Sequence, residues 1–84
     1  MPAVTIYTKA WCPYCDAAKD LLRSKDIVFE EISVDGDLQG QNAMAERANG
    51  RRTVPQIFIG DTHVGGCDDL YALERAGKLD PLLA

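Results

Sequence analysis

Apolar residues recur along this chain with two different periods. The run Ala3-Val4-Thr5-Ile6-Tyr7-Thr8 is short and β-rich, and Lys9-Ala10-Trp11-Cys12 after it is brief enough to lead straight into a helix. From Pro13 the spacing lengthens. Ala17, Ala18, Leu21 and Leu22 share one helical face, and proline suits the first helical position because its missing N–H would have been unpaired there, so a helix is predicted from Pro13 to about Ser24. Val28–Val34 reads as a second strand, parallel to the first, with apolar residues on both faces at its start.

Asp35-Gly36-Asp37 makes a turn that caps a second helix, whose inner face is Leu38, Gln41, Met44, Ala45 and Ala48 and whose stop is Asn49-Gly50. Val54–Ile59 is a third strand, and Gly60-Asp61 turns it into Thr62-His63-Val64 as a hairpin. Gly65-Gly66-Cys67-Asp68-Asp69 opens a last main helix that buries Leu70, Leu73 and Ala76 and closes at Gly77, with Asp80–Leu83 as a tail turn. The order βαβαββα predicts an α/β domain over residues 1–84, a four-stranded mixed sheet flanked by three main helices.

Composition narrows what such a domain does. With 84 residues and 46% hydrophobic content, the chain builds one small core and therefore one site. The net charge is −4 and the nine Lys and Arg are scattered, which argues against a nucleic-acid partner. No apolar run spans a bilayer, and Met1-Pro2-Ala3-Val4 lacks the pattern of a secretion signal, so the expected location is cytoplasmic, with no membrane partner. Three cysteines in that compartment read as catalytic or metal-binding thiols.

Cys12 and Cys15 bracket the predicted helix start. A sulfur at the N-cap faces N–H groups that lack helical partners, and these favour the thiolate, the nucleophilic form. Cys15, three residues on, lies close enough to bond Cys12 without dismantling the helix. Cys12 is thus the attacking thiol and Cys15 the resolving thiol. Lowering an ordinary thiol pKa of ~8.5 to about 5 takes roughly 4.8 kcal/mol of preference for the anion. A helix terminus supplies at most ~2 kcal/mol, so further donors such as Lys9 are required. A competing reading gathers Cys12, Cys15, His63 and Cys67 as metal ligands. Against it, both halves sit on apolar secondary structure that folds without metal, and no metal is expected.

Three segments together resemble the glutaredoxins: Thr8-Lys9 ahead of Cys12-Pro13-Tyr14-Cys15, then Thr53-Val54-Pro55, then Gly65-Gly66-Cys67-Asp68-Asp69. The likeness is to small bacterial dithiol members and covers essentially the whole chain. It implies a thioredoxin fold with Pro55 in the cis form, and a glutathione-dependent thiol-disulfide oxidoreductase that reduces protein disulfides and glutathione mixed disulfides. Glutathione is the implied reductant. In this reading Val54 pairs its main chain with the substrate peptide, while Gly66 and the N–H groups of Cys67 and Asp68 bind the γ-glutamyl carboxylate.

Asp68 is assigned to the ammonium, with Asp69 as competitor. Lys9 and either Arg51 or Arg52, next to Thr53, are candidates for the glycyl carboxylate, and Tyr14 flanks the central cysteine. The Cys67 side chain is expected only to pack, and His63 to be a half-exposed hairpin residue. Partners implied are glutathione and glutathionylated or disulfide-containing proteins, with ribonucleotide reductase suggested by the family; the chain is expected to act as a monomer. Trp11 departs from the pattern, since thioredoxins carry tryptophan there. It keeps open a thioredoxin-like reductant, alongside a dimer-bridging iron-sulfur carrier as a non-enzymatic alternative.

Overall fold

The computed structural model describes residues 2–84. Its elements are β1 (Val4–Thr8), α1 (Pro13–Ser24), β2 (Glu30–Ser33), α2 (Leu38–Arg47), β3 (Gln56–Ile59), β4 (Thr62–Gly65), α3 (Cys67–Arg75) and α4 (Leu79–Leu83). They form the predicted order, a thioredoxin-like α/β fold with a short extra helix where a tail turn was expected. Pro81 falls in the first turn of α4, where a helix tolerates proline.

The sheet order is β2-β1-β3-β4, with β1 parallel to β2 and antiparallel to β3, and β3 antiparallel to β4. Side chains alternate across a strand, and here the alternation sorts two cores. Val4 and Ile6 of β1 and Ile57 and Ile59 of β3 face Ala18 and Leu22 of α1, Leu70 of α3, and Leu79 and Leu83 of α4. Tyr7 and Phe58, the residues of opposite parity, join Val34, Met44 and Ala48 on the α2 side. The sheet is therefore sandwiched, with α1 and α3 on one face and α2 on the other.

Several boundaries differ from expectation. Val28 lies ahead of β2 and is exposed, because β2 pairs with β1 only from Glu30. Leu38 was expected on the inner face of α2 but is 68% exposed. Helical periodicity fixes its angle about the axis, not how far the core extends along that axis. Val54 and Pro55 precede β3, and Ala76 at the end of α3 is exposed. No helix among the described residues is long and apolar enough to cross a membrane.

Strand direction brings three loops to one edge of the sheet. In the β1–β3 register Tyr7 lies opposite Gln56, so the exit of β1 is beside the entrance of β3. Ile57 lies opposite Gly65, which puts the exit of β4 at the same edge.

Candidate active site

The first loop leaves β1, passes through Trp11 in a left-handed conformation (φ 55°) and enters α1 with Cys12 at the N-cap and Pro13 behind it. The Cys12 Sγ accepts a hydrogen bond from the Cys15 backbone N–H at 3.1 Å. This is the N-cap bond that a serine or aspartate oxygen usually accepts, taken here by sulfur. Cys12 and Cys15 form a disulfide with Cα atoms 5.2 Å apart. Their exposure is unequal: Cys12 is partly open to solvent, whereas Cys15 is 1% exposed. An incoming sulfur can reach only the first of them.

The second loop carries Arg51, Arg52, Thr53 and Val54 to a cis peptide bond before Pro55, as the resemblance implied. The third turns at Gly65, whose φ of 112° is closed to most side chains, and starts α3 at Cys67. Together with Tyr14 these loops line an open groove of about 150 Å3: Arg51, Thr53, Val54 and Pro55 on one side, Gly66, Cys67, Asp68 and Asp69 on the other. Lys9 is half-buried in the β1–α1 connection and does not line this groove.

The structure separates the paired candidates. The Asp69 carboxylate accepts the Gly66 N–H at 2.9 Å and pairs with Arg51 Nη1 at 3.1 Å. The Gly66 bond, with the Arg51 guanidinium, holds its pKa below the usual carboxylate range. Asp68 is exposed in the first turn of α3, and its carboxylate makes no hydrogen bond or ion pair among the described residues. Arg52 turns away to donate to Asn42 Oδ1 on α2 at 2.8 Å. Arg51 differs from the expected position. Its head lies at the start of α3 with Asp69, not at the far end of the groove, because the carboxylate that holds α3 also attracts the nearest cation.

Cys67 is a buried free thiol, and burial, with Asp68 beside it, pushes its pKa up. His63 is engaged with Gln56 and Asn49. No group of three or more His, Cys, Asp or Glu side chains among the described residues is gathered to hold a metal, so the four-ligand alternative is not assembled. One participant escaped the sequence reading. Gln56 counts there only as a strand residue, yet its side chain is fully buried and donates to Thr53 in the groove wall. A polar side chain inside an apolar strand was the available signal, since a buried amide requires partners.

Comparisons with known proteins agree with this geometry. Residues 4–64 match the family described as Glutaredoxin. Over 84 residues, 100% of this chain and 99% of the relative, the sequence is 62% identical to a glutaredoxin of Pseudomonas aeruginosa. The solution structure of a glutaredoxin from Brucella melitensis superposes with a TM-score of 0.86 at 57% identity, covering 99% of this chain and 89% of that one. A buckwheat glutaredoxin solved as its glutathione complex superposes with a TM-score of 0.87 at 35% identity, over 98% of this chain and 76% of the other.

Proposed function

The chain belongs to the glutaredoxin family and is a glutathione-dependent disulfide oxidoreductase with a dithiol pair at Cys12 and Cys15, and from that premise we propose how its residues divide the work. Cys12, as thiolate, attacks one sulfur of a glutathionylated or disulfide substrate; the S–S bond breaks, the other sulfur leaves as a thiolate and takes a proton, and Cys12 is left in a mixed disulfide. Two resolutions follow. Glutathione attacks the Cys12 adduct directly, or Cys15 displaces the bound thiol to form the Cys12–Cys15 disulfide, which two glutathione molecules then reduce while themselves becoming oxidised glutathione. The observation that carries this assignment is the pairing of a partly exposed Cys12 at a helix N-cap with a fully buried Cys15.

Glutathione occupies the groove from Tyr14 to the start of α3. Its γ-glutamyl carboxylate meets the N–H groups of Cys67 and Asp68, which lie in the first turn and have no helical acceptors, with Gly66 allowing the approach. Arg51 serves this same end. Asp68 takes the ammonium, since Asp69 is committed to Gly66 and Arg51. Thr53 and Val54 offer main chain to the tripeptide ahead of Pro55: Val54 lies outside β3 and makes no backbone–backbone bond among the described residues. Lys9, in the Cys12 loop and outside the groove lining, is left for a glycyl carboxylate that extends past the groove, and Tyr14 covers the central cysteine.

The buckwheat relative solved with glutathione supports glutathione as ligand. The protein functions as one domain over residues 1–84, as a cytoplasmic monomer without metal. Its substrates are glutathionylated and disulfide-containing proteins, ribonucleotide reductase among them, with no nucleic-acid or membrane partner. The test is a glutathione-coupled assay on a small mixed disulfide and on a protein disulfide. Cys15→Ser is expected to keep the first activity and lose the second, and Cys12→Ser to lose both. A Cys12→Ser protein that still removes glutathione would refute the assignment.

A further inference from the structure

Gln56 is the one side chain of β3 that is both polar and fully buried. Its amide nitrogen donates to the Thr53 carbonyl oxygen at 3.0 Å and to Thr53 Oγ1 at 3.2 Å, and its amide oxygen lies 2.7 Å from His63 Nε2. These contacts fix every orientation in the chain of bonds. A backbone carbonyl only accepts, so the NH2 end of the amide must face Thr53 and the oxygen must face His63. That oxygen also only accepts, so His63 Nε2 must carry the proton. In the neutral ring Nδ1 then keeps its lone pair, which faces Asn49 Nδ2 at 3.5 Å.

The surroundings keep His63 in this form. Its ring stacks on Phe58 with centroids 4.9 Å apart, and Phe58 also carries the Arg47 guanidinium 4.0 Å from its centroid. Burial first, then the charges of Arg51 after α2 and Arg47 on α2, hold its pKa below the ordinary histidine value, against the opposing pull of Asp69 on α3. Near neutral pH the ring is uncharged and can present one N–H and one lone pair.

We propose that His63 is a positioning residue for the glutathione groove: as the Nε2–H tautomer it orients the buried Gln56 amide, which holds the carbonyl and hydroxyl of Thr53 in the groove wall. This rests on the reading that the Thr53–Val54 side receives glutathione. His63 touches neither substrate nor sulfur. Without its N–H the Gln56 oxygen is left buried with no donor, so the amide turns to find one and releases Thr53. The consequence falls on binding and leaves the sulfur chemistry unchanged, which sets this role apart from a catalytic one.

Three proteins and one spectrum test it. His63→Phe keeps a ring on Phe58 and removes the donor, whereas His63→Gln returns an amide N–H near the position of Nε2. With a glutathione mixed disulfide as substrate, His63→Phe is expected to raise KM by about 3- to 10-fold, the effect of one neutral hydrogen bond, with kcat within about two-fold. His63→Gln is expected to restore KM to within about two-fold of wild type. An unchanged KM in His63→Phe overturns the proposal, as does an equal loss in both variants, which would report ring packing alone.

Nitrogen NMR of the wild-type imidazole decides independently, even where His63→Phe does not fold. The Nε2–H tautomer at neutral pH supports the proposal and the Nδ1–H tautomer overturns it. If the wild type shows the Nε2–H tautomer and His63→Phe shifts the Thr53 carbonyl resonance, but glutathione substrates fail to saturate the wild type, the relay stands and the groove assignment falls.

Discussion

Replacing Asp69 by alanine removes two interactions at once. Its carboxylate accepts the Gly66 N–H at 2.9 Å, which ties the loop to the third residue of α3, and it pairs with Arg51 at 3.1 Å. Loss of a helix-start bond of this kind costs about 1 kcal/mol. The ion pair is nearly half exposed on both sides, so solvent screening limits it to about 0.5 kcal/mol. Together, about 1.5 kcal/mol lowers the melting temperature of a domain this size by roughly 6 to 12 °C. Asp69→Asn retains an oxygen for the Gly66 N–H and loses only the charge, so its melting temperature should fall by roughly 2 to 4 °C.

The dependence on pH reports the charge of Asp69, which both interactions favour. The folded-state pKa of Asp69 lies below its ordinary value, first through the Gly66 N–H and also through Arg51. A group depressed on folding contributes its full stability above the unfolded pKa and loses it as pH falls through the folded one. The gap between wild type and Asp69→Asn should therefore be constant near neutrality and close under acid, below the usual carboxylate range. Circular-dichroism melts of the three proteins from about pH 7 to about pH 2.5 provide the measurement. A neutral-pH melting temperature for Asp69→Ala within about 2 °C of wild type would refute the assignment, as would a gap to Asp69→Asn that persists in acid.

Arg51→Ala should raise KM for a glutathione mixed disulfide about 5- to 10-fold, whereas Arg52→Ala, bonded to Asn42 outside the groove, should leave it within two-fold; steady-state kinetics on both variants checks this. Gly65→Ala forces a side chain onto a φ of 112° and against the Asp69–Arg51 pair, so it should lower the melting temperature by roughly 5 to 15 °C and weaken glutathione binding, read by calorimetry. In the reduced protein at neutral pH, iodoacetamide should label Cys12 and spare Cys67, whose burial disfavours the thiolate; mass spectrometry of the labelled peptides gives the answer.

The features legible in the sequence were those set by local chemistry. Helix α1 runs from Pro13 to Ser24 as read, because the N-cap, the proline behind it and the apolar spacing all act within a few residues. The ends of β2 and the exposure of Leu38 depend on how far neighbouring elements reach, which no local pattern encodes. Arg51 was read, as one of two alternatives with Arg52, as a far-end ligand because the pair stands just before Thr53 in the sequence, whereas its partner Asp69 is 18 residues on. The Gln56–His63 contact was closer to the surface of the sequence than it looked. Counting back from the Gly60-Asp61 turn pairs Ile59 with Thr62 and Phe58 with His63, and Gln56 shares the face of Phe58, so the amide and the imidazole become diagonal neighbours.

That same arithmetic explains how residues as distant in sequence as Tyr14, Thr53 and Gly66 share a groove. Chain direction reverses between β1 and β3 and again between β3 and β4, so the exit of β1, the entrance of β3 and the exit of β4 must lie on one edge. Helices α1 and α3 each follow an exiting strand, which turns both N-termini, and their unpaired N–H groups, towards that edge. One terminus holds a sulfur and the other is suited to a carboxylate of the same ligand, so the distance between them is set by the β1–β3 and β3–β4 ladders, the first of which also places Cys12 relative to Thr53. A slip of one residue there displaces Cys12 from Thr53 by about 3.4 Å, when misplacement of about 1 Å already costs roughly 100-fold in rate. Val4 and Ile6, packed against Ile57 and Ile59, therefore bear on catalysis through register, although none of the four reaches the groove.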